Sequence, residues 1–180
     1  RHYRAAASFF ILAEADAVVR KEGPLAVLLA ALAVLSVIAL NFRSLPFVAI
    51  AFGSLLVSFT LFLALAAALG MHLNLFSITV LPSVFGIGID GTVHLVHRGW
   101  ESRDPQALGR VVRQVGGAIW IAALTTTVGF GALMFQDNPG VASIGTLASI
   151  GVLLVCTLSA LTAGALLSLW LARVERKAAS

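Results

Sequence analysis

Charge is what this sequence has least of: charged residues make up 11% of its 180 residues, against roughly 25% in an average soluble protein. The single cysteine, Cys156, cannot form a disulfide framework within the chain. The 16 glycines show no period of three, which excludes a collagen-like chain. Since 59% of the residues are apolar, a disordered chain is also excluded. An integral membrane protein remains, in agreement with a mean hydropathy of +1.00.

The basic residues indicate a membrane topology and not a nucleic-acid partner. The net charge is +4, but the 12 Lys and Arg residues fall in short clusters between long uncharged runs. A nucleic-acid-binding face would gather such residues into one stripe or patch. We therefore expect no nucleic acid among the partners.

Five apolar stretches approach the ~20 residues that a helix needs to cross the hydrocarbon core. They cover residues 25–42, 45–69, 73–97, 118–135 and 141–172. Short links join the first to the second, the second to the third and the fourth to the fifth, so these neighbours must run antiparallel. The sequence thus predicts an all-α fold, a polytopic membrane bundle of five transmembrane helices within a domain spanning residues 24–172.

Three polar segments flank these spans. Residues 1–23 mix acidic and apolar side chains, which predicts an arm on the extracytoplasmic surface that turns inward at Gly23-Pro24. Residues 104–116 have an amphipathic period and a Pro105 suited to a first helical turn, which predicts an interfacial helix between the third and fourth spans. This helix is either a simple connector or an element that couples the motion of the spans. Residues 173–180 form a basic tail.

The distribution of basic residues predicts the orientation in the membrane, because Lys and Arg near span ends favour the cytoplasmic side. One side of the five-span topology collects eight of them: Arg43, Arg98, Arg103, Arg110, Arg113, Arg173, Arg176 and Lys177. The other side holds four. We therefore expect a cytoplasmic C-terminus, with residues 104–116 on the same side, and a periplasmic N-terminus.

One formal charge lies deep within an apolar run, at Asp90. An acidic residue at that depth costs at least ~2.5–3.5 kcal/mol, so it is expected to face a protein interior or a water-filled cavity. His94 and His97 follow at four and seven residues, on the same helical face. A carboxyl above two imidazoles is typical of a proton path, because an apolar medium favours the neutral acid and water favours the ionised one. The alternative is a buried acid permanently paired with another helix, with His97 only an interfacial residue.

Neither a metal site nor an enzyme is predicted. Asp90, His94 and His97 are acceptable zinc ligands, but a fourth ligand would have to come from elsewhere. Met71 and Met134 are not paired as a soft-metal path requires. The sequence contains no nucleophile elbow or phosphate-binding loop, and we expect no catalytic residues and no cofactor.

Small and hydroxyl-bearing residues surround the predicted position of Asp90. Gly86, Gly88 and Gly91 on the same span are expected to allow close helix packing, as are Gly129 and Gly131 on the fourth. Three successive threonines at 125–127 point in three directions, so at most two can face Asp90. We take Thr126 and Thr127 as candidate relay residues with His94, although bonding to their own helix carbonyls is the default for threonines.

The run NLFSITVLPSVFGIGIDGTVHLVHR at 74–98, a basic amphipathic stretch, and ALTTTVGFGALMF at 123–135 resemble the C-terminal membrane half of RND-superfamily exporters of the MMPL type. Hopanoid and other lipid exporters belong to this group. The resemblance covers residues 5–172 and is most specific between 73 and 135. It implies that the spans are the last five of twelve and that Asp90 belongs to an intramembrane proton relay.

The resemblance also implies a function: export of lipid or other hydrophobic cargo from the bacterial inner membrane, driven by inward proton flow. The partners would be membrane lipids, the cargo, the missing N-terminal half of the same transporter and, for a homo-oligomer, further copies. The chain begins with Arg1 and not Met, and we expect it to be a fragment. Gly91 stands where many MMPL-type proteins have a tyrosine. The alternatives are a non-transporting sterol-sensing-like or scaffold module and a relative of the protein-translocation motor.

Overall fold

The computed structural model describes the backbone of residues 2–42, 44–71, 76, 79–102 and 105–178, and most of their side chains from residue 21 onward. Within this part the chain is all-helical, without strands. The helices are α1 (His2–Phe42), α2 (Leu45–Ala68), α3 (Leu81–Ser102), α4 (Pro105–Gly131) and α5 (Pro139–Ala178). A short 3-10 helix, Ala132–Phe135, follows α4 directly.

Particular residues mark the end of α2 and the beginning of α5. After α2, Gly70 adopts a φ of +67°, a conformation that favours glycine. Its N–H donates to the Ala67 carbonyl and the Met71 N–H donates to the Ala66 carbonyl, both at 3.0 Å, which satisfies the last carbonyls of the helix. Asn138 caps α5, because its Oδ1 accepts a 2.9 Å hydrogen bond from the Gly140 N–H, and Pro139 fits the first helical position.

Helix α5 is the centre of the bundle, since it packs against α2, α3 and α4. Its fully buried side chains include Val152, Val155 and Leu167. Helix α1 packs less closely, along α2 and α3, and its outer leucines at positions 25, 28, 29, 32 and 40 are exposed. A helix surface with this many exposed leucines suits a membrane environment.

Four helices are long and apolar enough to cross a membrane, at Lys21–Leu40, Leu45–Ala68, Ala107–Phe135 and Pro139–Lys177, when the described residues are considered. The chain is therefore a multi-pass membrane protein, but the predicted count of five spans is not confirmed. The predicted third span, 73–97, overlaps α3, but α3 begins at Leu81 and continues to Ser102. Asp90, Arg98 and Glu101 lower its hydropathy, and residues 72–75, 77 and 78 lie outside the described part.

In the described part of the chain, neither the arm nor the amphipathic segment forms a helix separate from the span that follows it, which corrects the prediction. Residues 105–116 form one continuous helix with the apolar segment that follows, because Gly116-Gly117 provides neither a cap nor a proline and lies within α4. Residues 2–23 likewise continue into the first span through Pro24. Proline removes one backbone hydrogen bond, but its φ near −65° is compatible with a helix. The membrane position of residues 1–23 and 104–116 remains a prediction.

Helices α4 and α5 approach most closely beside the 136–138 loop. A methyl group at Gly145 would lie 2.7 Å from the Met134 nitrogen and 2.8 Å from the Phe130 carbonyl oxygen. One turn further along α5, Ser149 Oγ donates a hydrogen bond to the Thr127 carbonyl at 3.1 Å. Thr127 Oγ1 in turn donates to the Ser149 carbonyl at 3.4 Å. We call these three residues, Thr127, Gly145 and Ser149, the α4–α5 crossing.

Replacing Gly145 with alanine should destabilise the protein by about 1–3 kcal/mol, because the methyl group meets backbone atoms that cannot move aside. Gly129→Ala on α4 is the matched control: no atom lies within 4 Å of the added methyl group. There alanine should stabilise the helix by about 0.5–1 kcal/mol. Thermal unfolding of both variants in detergent measures the difference, and equal stabilities would contradict the close approach at the α4–α5 crossing.

Candidate functional site around Asp90

Asp90 lies near the middle of α3, within GIGIDG, and its side chain is exposed on the surface of the described bundle. His94 lies one turn later on the same face and is also exposed. Arg98 follows Asp90 by eight residues, or ~12 Å along the helix axis. The acid therefore lies well away from the end of α3, and it is neither paired nor enclosed by the helices described.

A cavity of about 880 Å³ lies between α3 and α4 and contains Asp90, His94 and Thr126 in its wall. We call it the Asp90 cavity. On the α4 side its wall is one helical face, with Ile119, Ala122 and Thr126 at spacings of three and four. Its polar end is formed by Arg98, Glu101, Ser102 and Gln114. The cavity is thus apolar around α4 and increasingly polar towards the end of α3.

A second, smaller cleft of about 310 Å³ lies on the other side of α3, against α1. Aliphatic residues of both helices line it, together with Phe42, Asp90 and His94. Asp90 and His94 therefore belong to the walls of both spaces. They form a polar ridge on α3 between two openings of the same bundle face.

The three successive threonines of α4 have different surroundings. Thr125 Oγ1 donates to the Ala122 carbonyl of its own helix at 2.9 Å and is exposed. Thr126 Oγ1 donates to the same carbonyl at 2.9 Å, although its side chain lines the Asp90 cavity. Thr127 lies at the α4–α5 crossing, where its hydroxyl donates to Ser149. Of the two threonines expected near the acid, only Thr126 lines its cavity.

His97 does not share the cavity with Asp90 and His94. Its ring packs edge-on against Phe42, with ring centres 5.2 Å apart, and its Nδ1 lies 3.5 Å from Glu101 Oε2. Phe42 in turn stacks on Phe47 across the α1–α2 turn at 4.2 Å. His97 thus belongs to an aromatic cluster at one end of the bundle, a position compatible with the interfacial role that the sequence left open.

The five glycines expected near the site differ in their surroundings. A methyl group at Gly88 would lie 2.5 Å from Val155 Cγ1 on α5, and one at Gly91 would lie 3.0 Å from Ile119 on α4. No atom lies within 4 Å of a methyl group placed at Gly86 or Gly129. At Gly131 the nearest atom is Ser149 Oγ, at 3.7 Å. Gly88 and Gly91 thus set the distance between α3 and its two neighbours beside Asp90.

Sequence reasoning missed several residues of the Asp90 cavity. Glu101 follows Asp90 by eleven residues, a spacing that returns to the same helical face, so its place in the wall could have been inferred. Cys156, which lines the cavity from α5, gave no such signal. A residue on one helix is placed opposite another only by packing.

The Asp90 cavity combines groups suited to proton transfer. A carboxyl, an imidazole and a hydroxyl share its wall with the polar residues Arg98, Glu101, Ser102 and Gln114. Groups of this kind pass protons when water reaches them. Among the residues described, no group of three His, Cys, Asp or Glu side chains is placed to hold a metal ion.

Comparison with known proteins gives consistent matches. The model of the MMPL family matches residues 7–180. The hopanoid transporter HpnN of Burkholderia multivorans is 34% identical over 104 residues, which are 58% of this chain and 11% of that protein. The hopanoid transporter HpnN of Rhodopseudomonas palustris is 30% identical over 114 residues, 63% of this chain and 13% of that protein.

A third relative, the putative membrane protein MJ1562 of Methanocaldococcus jannaschii, is 34% identical over 74 residues, which are 38% of this chain and 19% of that protein. No solved structure matches the chain significantly. The chain therefore aligns with less than a fifth of the length of each of these relatives.

If water fills the Asp90 cavity, cysteines placed at two adjacent positions of α4 should react with a water-soluble thiol reagent at different rates. Ala122 lines the cavity, whereas Ile121 points away from it and is 67% exposed on the outer surface. In a Cys156→Ala background of the complete protein, Ala122→Cys should react with a charged, membrane-impermeant methanethiosulfonate about tenfold faster than Ile121→Cys, because the reactive thiolate forms in water. Equal rates at the two positions would contradict an aqueous cavity.

Proposed function

This chain belongs to the MMPL family, and from that premise we propose that it forms the C-terminal membrane half of an exporter of lipids or other hydrophobic molecules, driven by the proton motive force. Its place would be the bacterial inner membrane, with the N-terminus periplasmic and the C-terminus cytoplasmic. The observation that carries the proposal is the position of Asp90, His94 and Thr126 in the wall of one cavity.

The exposure of Asp90 supports a partner on this face of the bundle. An acid at this depth would cost at least ~2.5–3.5 kcal/mol against lipid, so water or further protein must cover it. The aligned parts amount to 11% and 13% of the two hopanoid transporters, which leaves most of such a protein for the covering part. In our proposal that part is the N-terminal half of the same transporter, which packs against the ridge formed by Asp90 and His94.

Each of the three residues has a chemical role in this proposal. Asp90 takes up a proton when the cavity is open to one side of the membrane and releases it when the other side becomes accessible. His94, one turn away, exchanges protons between Asp90 and the polar end of the cavity. Thr126 offers a hydroxyl oxygen that accepts a hydrogen bond from water or from the neutral acid. One charge that moves through 100 mV contributes ~2.3 kcal/mol to the cycle.

The cargo class follows from two properties of the chain and its relatives. The two hopanoid transporters carry lipid cargo in their names, and the smaller cleft between α1 and α3 has largely aliphatic walls. A hydrophobic molecule fits such surroundings better than a hydrophilic one. Membrane lipids are the expected environment and the source of the cargo.

Replacing Asp90 with asparagine in the complete protein should abolish proton-driven export, because the amide cannot take up and release the proton. Insertion and oligomeric state should remain as in the wild type, since asparagine has nearly the same size as aspartate and is neutral like the protonated acid. Export is measured as the transfer of a labelled lipid in proteoliposomes with an imposed pH gradient.

Asp137→Asn is the matched control for this experiment. It removes the same charge from the exposed 136–138 loop, outside the cavity, and should leave export unchanged. Normal export by the Asp90→Asn variant, or export that persists after the proton gradient is dissipated, would refute the proposal.

A further inference from the structure

Helix α4 is held by different kinds of contact at its two ends. At the α4–α5 crossing the helices meet backbone to backbone, and side chains at Thr127 and Ser149 add two hydrogen bonds between residues 22 positions apart. Ser149 is 3% exposed, whereas Thr127 is half-buried. Other hydroxyls, such as those of Thr125, Thr126 and Thr92, donate to carbonyls of their own helices.

At the opposite end, α4 contacts its neighbours through aliphatic side chains. A methyl group at Gly99 on α3 would meet Leu108 of α4 and Leu167 of α5. Gly164 on α5 faces Val112 of α4. A methyl group added at Gly164 would lie 3.4 Å from Val112 Cγ2. Aliphatic contacts are non-directional, whereas hydrogen bonds require a fixed geometry. Helix α4 can therefore slide or tilt more readily at this end than at the crossing.

The Asp90 cavity lies between these two ends. Its wall on α4 extends from Thr126, the residue next to the crossing, back to Val111. Halfway along, no atom lies within 4 Å of a methyl group placed at Gly116 or Gly117. No neighbouring helix that the structure describes packs closely against α4 at these two positions.

We propose that Thr127 and Ser149 are positioning residues that fix one end of α4 as a pivot, so that tilting of its remaining length sets the width of the Asp90 cavity. From Thr127 to Val111 the helix measures ~24 Å, so a tilt of ~10° displaces Val111 by ~4 Å. That displacement exceeds the diameter of a water molecule. Thr127 thus acts through the position of α4 and not through a proton of its own. This inference rests on the proposed function only in that the cavity serves proton exchange at Asp90.

Cys156 provides the test, because its thiol lines the Asp90 cavity and its residue is only 5% exposed. We would measure its rate of alkylation by N-ethylmaleimide in the complete protein in liposomes, with other cysteines replaced and neither cargo nor proton gradient present. Thr127→Val and Ser149→Ala should each raise the rate about threefold, the equivalent of the ~0.6 kcal/mol typical of an interhelical hydrogen bond in a membrane. Thr127→Ser keeps the hydroxyl and should restore the wild-type rate.

Thr125→Val is the matched control: it removes a hydroxyl two residues away that bonds only within its own helix, and it should leave the rate unchanged. The same increase in this variant, or an unchanged rate in Thr127→Val, would overturn the proposal. So would a loss of export in Thr127→Val at an unchanged alkylation rate, the result expected of a proton relay. Normal export by Asp90→Asn would remove the exporter function but would not affect this alkylation result.

Discussion

The central constraint on this protein is that a carboxyl group cannot face hydrocarbon without a large cost in free energy. Asp90 lies in a chain whose other helices are built to contact lipid, and yet its side chain is exposed. The bundle face that carries Asp90 and His94 must therefore be covered by water or by protein. This requirement links the helical fold, the cavities on both sides of α3 and our proposal that a further part of the protein covers this face.

The face that carries Asp90 and His94 is bordered by α1 on one side and by α4 on the other, and these two helices pack differently. Helix α5 fills the centre and holds α2, α3 and α4 together, and its buried residues leave little room for movement. Helix α1 lies against α2 and α3 along a limited surface, with the smaller cleft beside it. The larger cavity lies between α3 and α4, beside the close approach of Gly91 to Ile119. The tilt of α4 that we propose would change the surroundings of Asp90 while this buried centre stays in place.

Much of the fold could be predicted from composition and periodicity, because long apolar runs separated by Gly, Pro and Asn fix helices and turns locally. Asn138-Pro139 and Gly70 ended or began helices as such residues commonly do. The prediction was wrong where two segments were separated without a strong break. Gly23-Pro24 and Gly116-Gly117 both lie inside continuous helices, because neither pair supplies a cap that ends one.

The sequence by itself determined that Asp90 is exceptional and that His94 shares its helical face, because spacing along one helix fixes direction around its axis. It also placed three threonines on the neighbouring span. Only the tertiary structure decided that Thr126 lines the cavity, that Thr127 joins α4 to α5, and that Cys156 lies opposite the acid. Periodicity defines the faces of a single helix, whereas the contact between two helices depends on how the side chains of both pack together.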